Sequence, residues 1–417
     1  MADNTQSVKR GFFFYLNHPY GAWLGLAAVL VGLTCSKILI SLGSLILIAR
    51  AVFNPKFPRF WVELWREKDF LVVFSIFFIF LISGLWSEDT SYFMDRMRMK
   101  LPLIGMPIAF LAIRKFGKKE LNYFLYFYFW VVVLAVIGTL IYAFSNWQNT
   151  ANAYAQGQVI LTPAHHIRFS LLVVFAICVG WQFVWEKFVV KWKWERTLLI
   201  VFTLFLIGFL HFLAVRSGLL ALYAVLTFYL SRWIVGNKKY GLGLGIITGA
   251  LLLIWLGYST IPTLKNKIDY TLYGLEQIRK GNEFSQYSDG KRLKTLEAGW
   301  ELFKQHPLFG VGTGDIKNEM NAWYAENFQQ LSNSSLLPHN QFIFVMTSCG
   351  IIGLIWFVFA TLFPFFYKKA KNDTLLLAFG IIIFSSFLTE HTIETQVGTA
   401  FFVFPLMMIL RSKKDLE

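Results

Sequence analysis

The sequence predicts an all-α, polytopic membrane protein of about twelve transmembrane helices with one larger helical loop on the outer side. Three observations predict it. The 417 residues are 56% hydrophobic and 18% aromatic but only 15% charged, a balance foreign to soluble globular chains. Apolar runs recur that can cross a hydrocarbon core of about 30 Å, which takes about 20 residues per helix. The Lys and Arg residues behind a formal net charge of +15 gather in alternate loops.

In chain order the candidate spans lie near 20–35, 37–53, 69–86, 101–113, 122–146, 168–186, 197–214, 217–234, 241–260, 339–367, 374–389 and 396–411. Residues 1–260 hold spans one to nine, 261–338 form the long loop, and 339–417 hold the last three spans and a tail. Met1 to Arg10 are polar and are followed at Gly11 by an apolar run and a full-length span, so no cleavable signal peptide is expected. Cys35, Cys178 and Cys349 all fall inside apolar runs, so neither a disulfide framework nor a cysteine metal site is expected.

The basic clusters set the orientation. They comprise Lys56 to Lys68, Arg114 to Lys119, Lys187 to Arg196, Arg232 to Lys239, Lys368 to Lys371 and Arg411 to Lys414. Threading twelve spans puts all of them on one side, and the positive-inside rule makes that side and both termini cytoplasmic. The charge is therefore a topology signal, with membrane lipid headgroups as partners and no nucleic acid. In the long loop, Leu293, Leu296, Trp300 and Phe303 recur at helical spacing. They predict an amphipathic helix over about 290–305, ended by His306-Pro307 and followed by a turn at Gly310-Val-Gly312-Thr-Gly314.

The unusual polar residues then cluster on the outer rim. Arg96, Arg98 and Lys100 precede the fourth span, and His165, His166 and Arg168 open the sixth. His211, Arg216 and Ser217 lie in the tight turn between the seventh and eighth, and Arg292 is in the long loop. His339, Asn340 and Gln341 open the tenth span, and Glu390, His391 and Glu394 lie between the eleventh and twelfth. Each has a plain reading: snorkelling arginines, an interfacial segment, a capping histidine, a surface pair of acids, or glycines that let helices approach. Together, arginines on one rim suit a diphosphate at the membrane surface, because their planar forks match phosphate oxygens. A polyprenyl diphosphate is such a molecule. A transporter would place its ionisable groups nearer the midplane.

At these residues the chain resembles the bacterial O-antigen ligase and O-antigen polymerase superfamily. His339-Asn340, nine residues, then Gly350-Ile-Ile-Gly353 fits a His-(Asn/Ser/Gln)-x9-Gly-x-x-Gly pattern. Val215-Arg216-Ser217-Gly218 looks like the family's Ser/Arg/Gly hairpin with Arg and Ser exchanged. Arg292, Trp300 and His306-Pro-Leu-Phe-Gly-Val-Gly312 resemble a second motif, and Leu85-Trp86-Ser87-Glu88-Asp89 resembles a Trp-Ser-x-Asp turn.

The resemblance implies a GT-C-like glycosyltransferase of the bacterial inner membrane with its active site on the periplasmic face. Its donor would be a glycan on undecaprenyl diphosphate, its acceptor a lipid A–core sugar or another glycan, and it would need no cofactor and no metal. The related polymerase, which joins repeat units on the same carrier, stays open as the alternative. On this reading His339 is the catalytic base. Arg216 and Arg292 hold the diphosphate, with Arg168, Arg98 and Lys100 as helpers. Asn340, Gln341 and Glu390 position substrate, and Gly350 and Gly353 pack the helix.

Overall fold

The computed structural model describes residues 19–155, 159–243, 245, 246, 248, 288–328, 331 and 334–412. Among them the chain is helical, with no strand. Most of the ninth predicted span, the first part of the long loop and both termini lie outside the described residues.

The helices are α1 (Pro19–Cys35), α2 (Lys37–Val52), α3 (Phe57–Arg66), α4 (Lys68–Ser83), α5 (Thr90–Lys100), α6 (Pro102–Ala112), α7 (Lys118–Ser145) and α8 (Trp147–Ala155). They continue as α9 (His166–Trp185), α10 (Glu195–Leu213), α11 (Arg216–Gly236), α12 (Ser288–Gln305), α13 (Ile316–Asn327), α14 (Gln341–Phe366), α15 (Thr374–Thr389) and α16 (Gln396–Ser412). Among the described residues, six stretches are long and apolar enough to cross a membrane, seven if the pair α2 and α3, bent by 101°, counts as one. The chain is thus a multi-pass membrane protein. α1, α15 and α16 are shorter apolar helices within the same bundle.

Burial orders the bundle. α16 is buried from Val397 to Ser412 and α9 almost throughout, so these two form its axis. An apolar helix with no polar face is expected at such a position. α4, α7, α10 and α11 instead expose large apolar side chains such as Leu81, Leu134, Leu204 and Tyr223, as lipid-facing helices do. α1 and α2 form a tight hairpin, α4 packs on α14, α9 on α10, and α11 on α15.

Several predicted boundaries hold closely. The amphipathic helix expected over 290–305 is α12, and the turn expected between spans seven and eight is Ala214-Val215, with Ala214 in the left-handed region at φ 53°. Helices α3, α5, α8 and α13 were not foreseen. They are short, of 9 to 12 residues, and mix polar or charged groups with apolar ones, so no hydropathy run marks them.

α14 holds the main surprise. Gly350 sits inside it at φ 67°, ψ −171°, so the helix is broken there. A break frees backbone groups that must be satisfied in a buried setting. The loop after α12 satisfies them: Val311 N–H donates to the Thr347 carbonyl (2.9 Å), Gly312 N–H to the Ser348 carbonyl (3.0 Å), and Ile351 N–H to the Pro307 carbonyl (2.9 Å). A Cβ on Gly350 would collide with the Leu308 carbonyl. The prediction that Gly350 packs helices is therefore corrected: it breaks a helix and admits a loop. A Cβ on Gly353 would meet Cys349 of its own helix and Ile79 of α4.

The Trp86–Asp89 turn clamps the other side of that loop. Glu88 and Asp89 N–H groups both donate to the Asp315 carboxylate at 2.8 Å, and Gly314 N–H donates to Ser87 Oγ at 3.0 Å. Ser83 Oγ and Thr313 Oγ1 lie 2.5 Å apart beneath it. Two motifs far apart in sequence therefore form one joint.

Candidate active site

Four elements meet at one end of the bundle: the start of α14, the turn between α15 and α16, the first half of α12 and the start of α9. His339 precedes α14. Its backbone N–H donates to Thr295 Oγ1 on α12 (3.3 Å), and Thr347 Oγ1 donates to the Gly299 carbonyl (2.9 Å), so α12 and the first half of α14 are laced together. Asn340 caps α14, its Oδ1 accepting from Phe342 and Ile343 N–H at 2.9 and 3.1 Å. This is the favoured use of Asn at a helix start.

Glu390 is the centre of the cluster. Its carboxylate lies 3.3 Å from His339 Nδ1 and 3.2 Å from Arg292 Nη2, and the residue is 4% exposed. Burial alone would raise its pKa, but the hydrogen bond from His339 and the positive charges of His339 and Arg168 hold it down to about 2. Glu390 is thus an anion throughout the physiological range. With Nδ1 turned to Glu390, the lone pair available for chemistry is on Nε2.

His391 stands beside them, its ring centroid 5.6 Å from that of His339 and its Nδ1 3.2 Å from the Pro338 carbonyl. Burial pushes the His391 imidazole down to about 4, against the pull of Glu390 and Glu394. It is neutral near pH 7. His165, stacked on His166, is also lowered, by burial and then by Arg168. Arg168 is 7% exposed, its Nε has no hydrogen-bond partner, and its charge reaches Glu390. A buried guanidinium with an unused donor suits an anion.

Arg216 is exposed at the first turn of α11. A Cβ added at Gly218 would lie 2.5 Å from Ser170 Cβ, so the start of α11 rests on the start of α9 and Arg216 stands at the same end as Arg168. Arg292 is 38% exposed and open to a ligand.

The remaining sequence candidates have other duties. Lys100 is fully buried, pairs with Glu394, and lies 4.3 Å from the Phe80 ring centroid. It is therefore withdrawn as a diphosphate ligand. Arg98 is largely exposed and is bonded at 3.1 Å to Asp95 one turn before it. Gln341 is fully buried: its Oε1 accepts from Ile393 N–H (2.9 Å) and its Nε2 reaches Glu394 (3.5 Å). It braces the 390–394 turn and cannot meet a sugar. Asn340 is committed to its cap and to the Leu388 carbonyl. Glu390 holds His339 and Arg292 rather than substrate. Sequence reasoning missed Thr295, and left His391 without a role beside the Glu390 and Glu394 pair. The string Glu390-His-Thr-Ile-Glu394 was its only signal.

His339, Glu390 and His391 bring three possible metal ligand atoms within 4.8 Å of one another. The cations Arg292 and Arg168 stand against Glu390, so its negative charge is already met by side chains.

The fold and this cation-rich, histidine-bearing end define a multi-pass membrane protein with a polar site at one end of its bundle. A family model described as O-antigen ligase matches residues 198–358. That window holds Arg216, Arg292, His339, Gly350 and Gly353, and leaves out Arg168 and Glu390. The O-antigen ligase of Salmonella typhimurium is 26% identical over 147 residues, covering 34% of this chain and 33% of that protein. The chain thus matches about a third of the relative's length. These findings support kinship with the O-antigen ligase superfamily over residues 198–358.

Proposed function

We propose that the protein is a membrane glycan ligase. It would transfer a glycan from undecaprenyl diphosphate to a hydroxyl of a lipid A–core acceptor, at the periplasmic face of the inner membrane, with inversion and without a metal. The observation that carries this reading is the His339–Glu390–Arg292 cluster. It offers a proton acceptor held by an anion, and beside it a guanidinium for the departing diphosphate.

In the step proposed, the acceptor oxygen attacks the anomeric carbon and the bond from that carbon to the diphosphate oxygen breaks. The hydroxyl proton passes to His339 Nε2, and the diphosphate leaves with the bonding electron pair. Ionised Glu390 orients His339 and stabilises the imidazolium that forms. Arg292, Arg216 and Arg168 take up the charge that develops on the leaving group. Diphosphate is already a good leaving group, so positioning and charge stabilisation supply most of the catalysis.

The test is transfer by the purified, reconstituted protein from a polyprenyl-diphosphate glycan to a lipid A–core acceptor in the presence of EDTA. Product on the acceptor supports the reading. Longer chains on the polyprenyl carrier, with an untouched acceptor, would make it a polymerase.

A further inference from the structure

The loop that enters the α14 break carries an apolar tip. Leu308 and Phe309 are 57% and 56% exposed, and Leu85 and Trp86, at the end of α4, are 84% and 37% exposed. The Phe309 and Trp86 rings meet edge to face at 5.8 Å. Trp86 and Phe309 thus form one exposed apolar contact, with Leu85 and Leu308 exposed as their chain neighbours, and exposed apolar groups gathered in this way call for a partner.

The surroundings of the patch fix its level. α4 and α14 run side by side in opposite directions, with Trp356 Nε1 bonded to Ser75 Oγ at 3.0 Å and Gly353 against Ile79. The next step of that ladder pairs the Gly350 break with Ser83 and Trp86. The stretch Lys68–Trp86 has 19 residues. At 1.5 Å per residue it is about 28 Å long, close to the roughly 30 Å of a hydrocarbon core. Lys68 marks one boundary, so Trp86 marks the other, where tryptophan is favoured. Exposure along α14 changes at the same place. Residues 344–350 are buried in protein, whereas Ile352 and Ile355 are 53% and 64% exposed. The apolar patch is therefore continuous with the lipid-facing surface.

We propose that Leu308 and Phe309, with Leu85 and Trp86, form an anchor seated in the acyl-chain layer of the bilayer. Its partner is the lipid itself. Because α12 and the first half of α14 are laced together above this loop, the anchor sets the height at which Arg292 and His339 stand over the membrane. The claim is independent of the reaction proposed above.

The experiment labels the wild-type protein in phosphatidylcholine–phosphatidylglycerol vesicles with a membrane-partitioning carbene precursor and maps the adducts by mass spectrometry. Adducts on Leu308 and Phe309 to the same extent as on Ile352 and Ile355 are expected, with little on Lys317. Labelling of 308–309 no greater than at Lys317 would overturn the anchor. A spin label on Phe309→Cys, in a Cys35→Ser background, gives a second reading. Greater access to oxygen than to a water-soluble nickel chelate is expected, and the reverse order would overturn the proposal even if the labelling chemistry favoured certain side chains.

Discussion

Glu390 and Glu394 stand four residues apart on one turn and do opposite work. Glu394 is sealed in, paired with Lys100 at zero exposure for both side chains and steadied by Gln341. Glu390 is nearly as buried at its carboxylate, yet its partners His339 and Arg292 are 24% and 38% exposed. A buried ion pair stabilises little net, because desolvation offsets most of the attraction, while removal of one partner is costly. Glu394 therefore serves the frame of the turn. Glu390 carries charge out to groups that a substrate can touch. The difference shows that a polar residue's place in a motif says less about its role than whether its partners face the site.

The largest effect separating the two regions is expected at His339. His339→Ala should reduce transfer by about 10²–10⁴-fold, the usual worth of a general base, while membrane insertion is retained. Glu390→Gln should also lose turnover, though less than His339→Ala, with donor binding retained, measured as kcat against KM. Lys100→Met should instead act on the frame. An uncompensated buried carboxylate costs about 3–5 kcal/mol, so thermal stability in detergent should drop, and the double variant Lys100→Met/Glu394→Gln should recover much of it. If Lys100 held diphosphate, the double variant would stay inactive at full stability. Arg292→Lys keeps charge but loses the fork, and a roughly ten- to hundredfold rise in donor KM is expected, matching one charged hydrogen bond of about 1.5–3 kcal/mol.

The smallest effect concerns pH. The folded pKa of His391 is about 4, below the value of about 6.5 for an unfolded histidine. The unfolded chain thus binds more protons between those values, and the histidine's contribution is full above about 6.5 and lost as pH falls towards 4. Glu390, held down to about 2, adds a loss of the same sign below its unfolded value of about 4.3. Melting temperature should fall from pH 6.5 to 4, and His391→Gln should flatten that slope.

The sequence exposed the bundle well, because spans announce themselves by unbroken apolar runs and loops by Lys and Arg. It also showed α12, whose apolar residues keep strict helical spacing, and it brought His339, Arg292 and Glu390 to one rim. It hid what depends on partners in space. Gly350 and Gly353 look alike as a small-residue pair, yet only Gly350 has a loop pressed into it. Gln341 looks like a free amide beside a histidine, but both ends of its side chain are taken by the 390–394 turn. Lys100 looks like one more rim cation, and only its burial against Glu394 removes it from the site.

The account rests on His339 as the group that takes the acceptor's proton next to a separately held diphosphate. The most direct measurement compares wild type and His339→Ala, both reconstituted in vesicles, for donor binding and single-turnover transfer in the same samples. Unchanged donor binding with transfer lost is the predicted result; transfer by His339→Ala at the wild-type rate would contradict it.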